Sequence, residues 1–180
     1  MSFGWEDEPL VDGYYAVSNA IAFAMKELNQ NVLFFAAASN YGGDHKELYP
    51  AKHSHVFSIR ATNSCGSHQD FNPGLVVGDV HGTLGVGVPA AQLKNTLIEI
   101  GCTGTSAATA VATGIAAHVI GYIHSHDKGK AWSKIKTNSG FKQFLPKISG
   151  EVSSRKHFIS LRKYRGDDWE TTLEADLQSK

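Results

Sequence analysis

Cysteine is nearly absent. The 180 residues contain two, Cys65 and Cys102, too few for a disulfide framework. The fold must therefore be held by its core; two thiols permit a reducing compartment without proving one. An excess of either charge is absent too. Seventeen basic and seventeen acidic side chains cancel, so nothing in the balance calls for nucleic acid or an anionic membrane. No apolar run reads as long and charge-free enough to cross a bilayer. Met1 leads straight into Trp5-Glu6-Asp7-Glu8-Pro9, with no signal peptide, so the compartment stays open and an intracellular one is slightly favoured. Internal repeats and low-complexity segments are also missing. What remains is a chain long enough for one domain with a real core, burying roughly 70% of its unfolded surface.

The stretch that stands out is Gly101-Cys102-Thr103-Gly104-Thr105-Ser106-Ala107-Ala108, running into an apolar segment that ends at Ile123. Ala108, Val111, Ala112, Ile115, Ala116, Val119, Ile120 and Ile123 recur at three- and four-residue steps. The positions between them are Thr, Ala, Gly and one His, so the pattern predicts a helix that is apolar nearly all round and buried. A serine in its first turn lies beside free N–H groups and the positive end of the helix dipole. Both favour negative charge on the serine oxygen or on a carbonyl under attack. The plainer alternative is that Ser106 only caps the helix.

A second stretch bears on that choice. Val32-Leu33-Phe34-Phe35-Ala36-Ala37-Ala38 is a fully apolar run, as in a strand buried on both faces of a parallel sheet. It passes into Ser39-Asn40-Tyr41-Gly42-Gly43. Asn40 thus stands at the carboxyl end of a strand, where open α/β sheets build sites, although Asn before two glycines is also an ordinary turn residue.

Taken together, these stretches resemble the subtilase (subtilisin-like serine peptidase) family. Gly104-Thr105-Ser106-Ala107-Ala108 is similar to the run that carries the family's nucleophile. Ala36-Ala37-Ala38-Ser39-Asn40 is similar to the strand that ends in its oxyanion-hole asparagine. Tyr49-Pro50-Ala51-Lys52-His53, then Val56-Phe57-Ser58-Ile59-Arg60-Ala61, look like the family's Tyr-Pro-Ala turn and next strand. Ser2-Phe3-Gly4 looks like its substrate-pairing edge, Asp70-Phe71-Asn72 weakly like its Ala-Ser-Phe-Ser segment, and Val86-Gly87-Val88-Pro89 like its strand ending in Pro. The resemblance covers roughly residues 1 to 125 in the family's order. It implies an α/β fold, a mostly parallel sheet with helices on both faces, in an incomplete subtilisin-like form. It implies Ser106 as nucleophile and Asn40 as oxyanion donor. Ser2, Phe3, Gly4, Ala37, Ala38, Ser39 and Thr105 would contact a peptide or protein substrate. The family often has Gly where Ser39 stands, which bears on pocket depth. Cys102 would line the leaving-group side, read here as a small buried residue and not a thiol catalyst.

Read in order, the remaining chain predicts a helix capped by Asp12 with a Val17, Ala20, Ile21, Ala24, Met25, Leu28 stripe. Strands follow at Val56 to Thr62 and Thr83 to Ala91, and a short strand or hairpin at Asn95 to Ile100. Ala131 to Ile135 and Phe141 to Leu145 read as amphipathic covers. His124-Ser125-His126-Asp127 reads as a polar helix end and no metal site. Calcium occurs in the family, but no carboxylate cluster here suggests it. The basic runs Arg155-Lys156-His157 and Arg162-Lys163-Tyr164-Arg165 read as solvated surface. Residues 1–150 are assigned to the peptidase-like part and 151–180 to a polar extension with loose final residues.

Half of the catalytic set is not found. A serine hydroxyl needs a base, and the base an orienting carboxylate. In subtilases both precede the substrate-pairing strand, which here begins at residue 2, and no Asp-x-Gly or His-Gly-Thr-His run is present. His81-Gly82-Thr83 looks superficially like the second but falls between Asn40 and Ser106, and is not assigned as the base. A core strand at residue 2 suggests further chain upstream. The expectation is a serine endopeptidase part that is inactive alone, with the missing N-terminal half as a possible partner and with exposed apolar flanks around the serine helix. The alternatives are a pseudoenzyme that binds extended peptides and, last, a phosphate-binding α/β domain, which no P-loop lysine supports.

Overall fold

The computed structural model describes residues 1–74, 78–90, 101–126 and 130–178. Two short strands, β1 (Leu10–Val11) and β2 (Tyr14–Tyr15), pair antiparallel as an exposed hairpin ahead of helix α1 (Ala16–Glu27). The central sheet takes β3 (Phe34–Ala37), β4 (Val56–Thr62) and β5 (Val80–Leu84). A small ribbon, β6 (Val88–Pro89) with β7 (Gly101–Cys102), leads to helix α2 (Thr105–His126). Helices α3 (Lys130–Ile135) and α4 (Asn138–Phe144) follow, then β8 (Ser149–Ser153) and β9 (Lys156–Ile159). A 3₁₀ turn at Leu161–Tyr164 and helix α5 (Trp169–Gln178) complete the described chain.

The sheet order is β3-β4-β5-β9-β8, parallel except for the last pair. On β4 the period of two sorts the side chains. Phe57, Ile59 and Ala61 join the main core, while Ser58 and Arg60 meet Glu47. Helix α2 lies across β3, β4 and β5. Its buried stripe runs Ala108, Ala112, Ala116, Val119, Ile123, one residue per turn, and the three alanines let the helix sit close to the strands. Phe141 of α4 stands edge-on to Phe35 and Phe57, which stack on each other at 5.0 Å. Burying each such ring contributes about 1.5–3 kcal/mol. Ile21 and Met25 of α1 are buried apart from this cluster.

Several expectations change. Asp12 does not cap α1: it sits in the β1–β2 turn at φ 52°, and Tyr15 precedes the helix without a side-chain cap. An Asp-Gly pair between short strands is a hairpin signal, and it won over the cap. Of the expected stripe on α1, Ala20 and Leu28 are exposed. Strand β3 is shorter than the apolar run that suggested it. Helix α2 is not buried all round: Ala110, Thr113, Gly114, Ala117, His118 and Gly121 are exposed, with Thr113 and Ala117 on the side of Leu33 and Phe35. At 22 residues and mean hydropathy 1.4, α2 is also long and apolar enough to cross a membrane by composition, contrary to the sequence reading, but its buried stripe packs on the sheet. The division at residue 150 falls inside β8. Lys156 and His157 belong to β9, an interior strand, and α5 docks through Leu173, which is 3% exposed. The strand or hairpin expected at 95–100, and Ala91 and Asp127, lie outside the described residues.

Candidate active site

The site forms where the carboxyl ends of β3 and β5 meet the first turn of α2. The Gly104 N–H donates to the Gly85 carbonyl just beyond β5 at 2.8 Å, setting where the helix begins. Gly104 has φ 145°, a value that favours glycine, and a Cβ there would lie 3.1 Å from Asn40 Nδ2. The turn is therefore shaped around the asparagine.

Asn40 is held by one decisive hydrogen bond. The Thr105 N–H donates to Asn40 Oδ1 at 2.8 Å. A backbone N–H can only donate, so the atom facing it must be the amide oxygen. Nδ2, a donor only, then faces the Gly104 turn. Thr105 itself is 1% exposed, with its hydroxyl buried and without a partner among the described residues, so it meets the site through its main chain. Ser106 is the second residue of α2, among the first-turn N–H groups that have no intrahelical acceptor. Twenty-two aligned peptide units place about half a positive charge at this end. The Ser106 hydroxyl donates to the Ser2 carbonyl at 3.2 Å, its one hydrogen bond among the described residues.

The structure thus brings Ser106, Asn40, Thr105 and Ser2 together. Met1 pairs with β3, its amino group donating to Phe35 O at 2.6 Å and its carbonyl accepting from Ala37 N at 3.0 Å. Ser2, Phe3 and Gly4 are not in a regular strand. Phe3 is 54% exposed and meets Trp5 edge-on. Ala37 and Ala38 are buried, with the Ala38 carbonyl engaged by Leu48 N–H at 2.9 Å. Ser39 is buried, and its hydroxyl accepts from Tyr41 N–H at 3.2 Å. Sequence reasoning did not single out Leu48 or Glu8, and it met Asn72 only within a weak likeness. Asn72 mimics a neighbouring strand, accepting from Ala61 N–H and donating to Ala61 O, each at 2.8 Å. Glu8 accepts from Ser18 N–H and Ser18 Oγ, and the hydroxyls of Ser18 and Tyr49 are 2.8 Å apart. Only the Asp70-Phe71-Asn72 likeness pointed toward any of these.

Among the described residues no imidazole is hydrogen-bonded to Ser106. His81 lies in β5, its ring 5.1 Å from that of His157. Burial, and then the charge of His157, push its pKa down to about 4. Its charged neighbours are His157, Asp79, His68 and Lys142. Burial likewise takes His68 down to about 4. Cys102 is exposed in β7, not buried as the sequence suggested. His124 and His126 are exposed at the end of α2, and among the described residues no three His, Cys, Asp or Glu side chains are placed to hold a metal ion.

No known family profile and no curated protein sequence matches the chain. Solved structures do. A serine-to-alanine mutant of the protease domain of PatA superposes with TM-score 0.72 at 19% identity over 97% of this chain. The prenylagaramide maturation protease PagA gives 0.68 at 18% identity over 99%. The PatG macrocyclase in complex with peptide gives 0.67 at 18% identity over 99%. The chain spans 58%, 62% and 50% of the lengths of those three structures. The chain has the mostly parallel α/β fold of these subtilisin-like protease and macrocyclase domains.

Proposed function

We propose that the chain carries the nucleophile half of a serine endopeptidase site, with Ser106 as nucleophile and Asn40 as oxyanion donor. The observation that supports this most is the Thr105 N–H to Asn40 Oδ1 bond. It turns a donor toward the same helix turn that presents the serine. A carbonyl attacked by Ser106 Oγ would develop its negative oxygen between Asn40 Nδ2 and the first-turn N–H groups, at the positive helix end. Removing such a donor costs about 10²–10³ in turnover.

The second half of the chemistry is the proton. Among the described residues Ser106 Oγ is hydrogen-bonded to a carbonyl and not to a base, so no positioned group takes its proton as the bond to carbon forms, and attack on a peptide is slow. In subtilisin, losing the histidine costs about 10⁶ in turnover. The described residues alone therefore hold an extended peptide without cutting it. A completing segment that brings an Asp–His pair against the exposed α2 flank and the β3 edge would supply the base. A non-catalytic peptide-binding protein is the alternative, favoured by the same carbonyl partner of Ser106.

The test is a labelled extended peptide mixed with the chain. Anisotropy should report binding, and chromatography should show no cleavage. Clear turnover that Ser106→Ala abolishes would overturn the inactivity; absence of any peptide binding would overturn the cleft.

A further inference from the structure

A small cavity opens where α2, the 3₁₀ turn at Leu161–Tyr164 and α5 come together. Its volume is about 150 Å³. Tyr122, Tyr164 and Trp169 line it with aromatic rings, beside buried Val119 and Leu173 and exposed His118. The rings are held in place. Trp169 lies 4.7 Å from Tyr122 at a tilt of 56°, and His126 stacks on Tyr122 at 4.1 Å. The Tyr164 hydroxyl donates to Asp176 at 2.7 Å. All three lining rings are half-buried, so their packing leaves surface for a guest. His118 comes twelve residues after Ser106 on the same helix, about 18 Å along its axis, so this cavity is not part of the serine site.

The carboxylates stand behind these walls. α5 carries Glu170, Glu174 and Asp176 and no lysine or arginine. Burial, and then Glu170 and Glu174, hold the Tyr122 phenol above its ordinary value, so both carboxylates act on this wall. Asp168, just ahead of α5, and Glu170 in its first turn offset the positive helix end. Among the described residues no lysine or arginine lines the cavity: Lys163, 5.9 Å from the Tyr164 ring, is tied to both oxygens of Asp176.

We propose that this cavity binds the trimethylammonium head of a small molecule of the choline type. Ring faces attract a cation held within about 6 Å, and more strongly once water is excluded. The carboxylates strengthen that field from behind without entering the cavity, since none of them lines it. An ordinary ammonium would bring N–H donors that need acceptors. The lining offers few: the Tyr164 phenol is engaged with Asp176 and the Tyr122 phenol with Glu170. Buried donors left unpaired are costly. Methylation removes those donors and gives the apolar walls methyl groups to contact. Size agrees, because a void of about 150 Å³ takes a benzene ring, and a trimethylammonium head is no larger.

The experiment titrates the whole chain with choline and with its uncharged isostere, 3,3-dimethylbutan-1-ol. Calorimetry gives the affinities, and saturation-transfer NMR follows the methyl protons. Choline should bind about tenfold or more tightly than the isostere, because the two share a shape and differ only in the charge that the rings attract. Trp169→Leu keeps an apolar wall but removes a ring, and should weaken choline by about tenfold while leaving the isostere little changed. Trp169→Phe should fall between. Circular dichroism checks that both variants fold. If Trp169→Leu does not fold, the two native titrations decide by themselves. Equal affinity for the two compounds sinks the proposal, since the cavity would then select shape and not charge. Absence of choline binding sinks it as well, and so does undiminished choline binding in a folded Trp169→Leu variant.

Discussion

On the proposed reading Asn40 has two jobs that point in opposite directions, and substitution separates them. Its Oδ1 accepts the Thr105 N–H at 2.8 Å, and its Nδ2 is left to donate. Asn40→Ala removes both. The Thr105 N–H then loses its partner beside a residue that is 1% exposed, at a cost of about 1–2 kcal/mol. For a chain of 180 residues that lowers Tm by roughly 2–8 °C. Asn40→Asp keeps the acceptor and adds a negative charge at the start of a 22-residue helix, worth about 0.3–1 kcal/mol in the stabilising direction. Its Tm should therefore match or exceed that of the native chain. Yet Asp offers no donor and repels an oxyanion, so both variants should lose affinity for a tetrahedral peptide boronate by about 10²–10³. Differential scanning fluorimetry and a boronate titration, run on the same three proteins, read the two jobs separately. If Asn40→Ala melts with the native protein, the Thr105 bond is not what holds the amide. If Asn40→Asp keeps its boronate affinity, Nδ2 is not an oxyanion donor.

Other outcomes follow from the same geometry. Ser106→Ala should leave urea stability within about 0.5 kcal/mol, because the hydroxyl makes one exposed hydrogen bond to Ser2 O. Glu47→Ala should cost about 3–5 kcal/mol in chemical denaturation. It strands the Arg60 guanidinium, 1% exposed and bonded to Glu47 at 3.0 Å, in the interior, whereas replacing both partners by apolar residues should be far milder. Acid should destabilise the fold between pH 6.5 and 4. Burial lowers His81 to about 4 while the unfolded chain takes up its proton near 6.5, so stability is full above 6.5 and falls as pH drops. His81 alone accounts for about 3 kcal/mol by pH 4; His68, more open to solvent, adds a smaller amount of the same sign. The urea midpoint should fall between pH 7 and 5, and His81→Gln should flatten that fall; a midpoint unchanged between the two pH values would contradict it.

What was legible in the sequence was whatever the local pattern dictates. The apolar run before Asn40, the strand at Val56 to Thr62 and the helix opening beside Ser106 each combine a clear period with a turn, and each is present. The amphipathic pieces around Ile135 and Phe141 likewise form helices with those residues buried. Strand β9 was not legible, because Lys156-His157-Phe158-Ile159 shows no alternation and begins with two basic residues. Its place is set by pairing with β5, which comes more than seventy residues earlier and leaves no local signal. The exposure of the α2 flank was only partly legible. Composition showed small apolar residues all round, but which side lacks a neighbour depends on which strands lie beside it. At the site, Ser106 and Asn40 were readable as residue types at turns, whereas the packing of Leu48 on Gly4 was not. A leucine between Glu47 and Tyr49 looks like any loop hydrophobe until Gly4 is folded against it.

The central claim is that Ser106 and Asn40 converge on one reacting carbonyl group, the serine at its carbon and the amide at its oxygen. Boron-11 NMR of a peptide boronic acid ending in Ala tests it most directly, because boron becomes tetrahedral only when an oxygen adds to it. The account predicts a tetrahedral resonance with the native chain, the serine proton passing to bulk water over the hours of the measurement in place of a base, its loss in Ser106→Ala, and at least tenfold weaker formation in Asn40→Ala, since transition-state mimics respond to the groups that meet the developing charge. A tetrahedral signal of equal strength in all three proteins would contradict it.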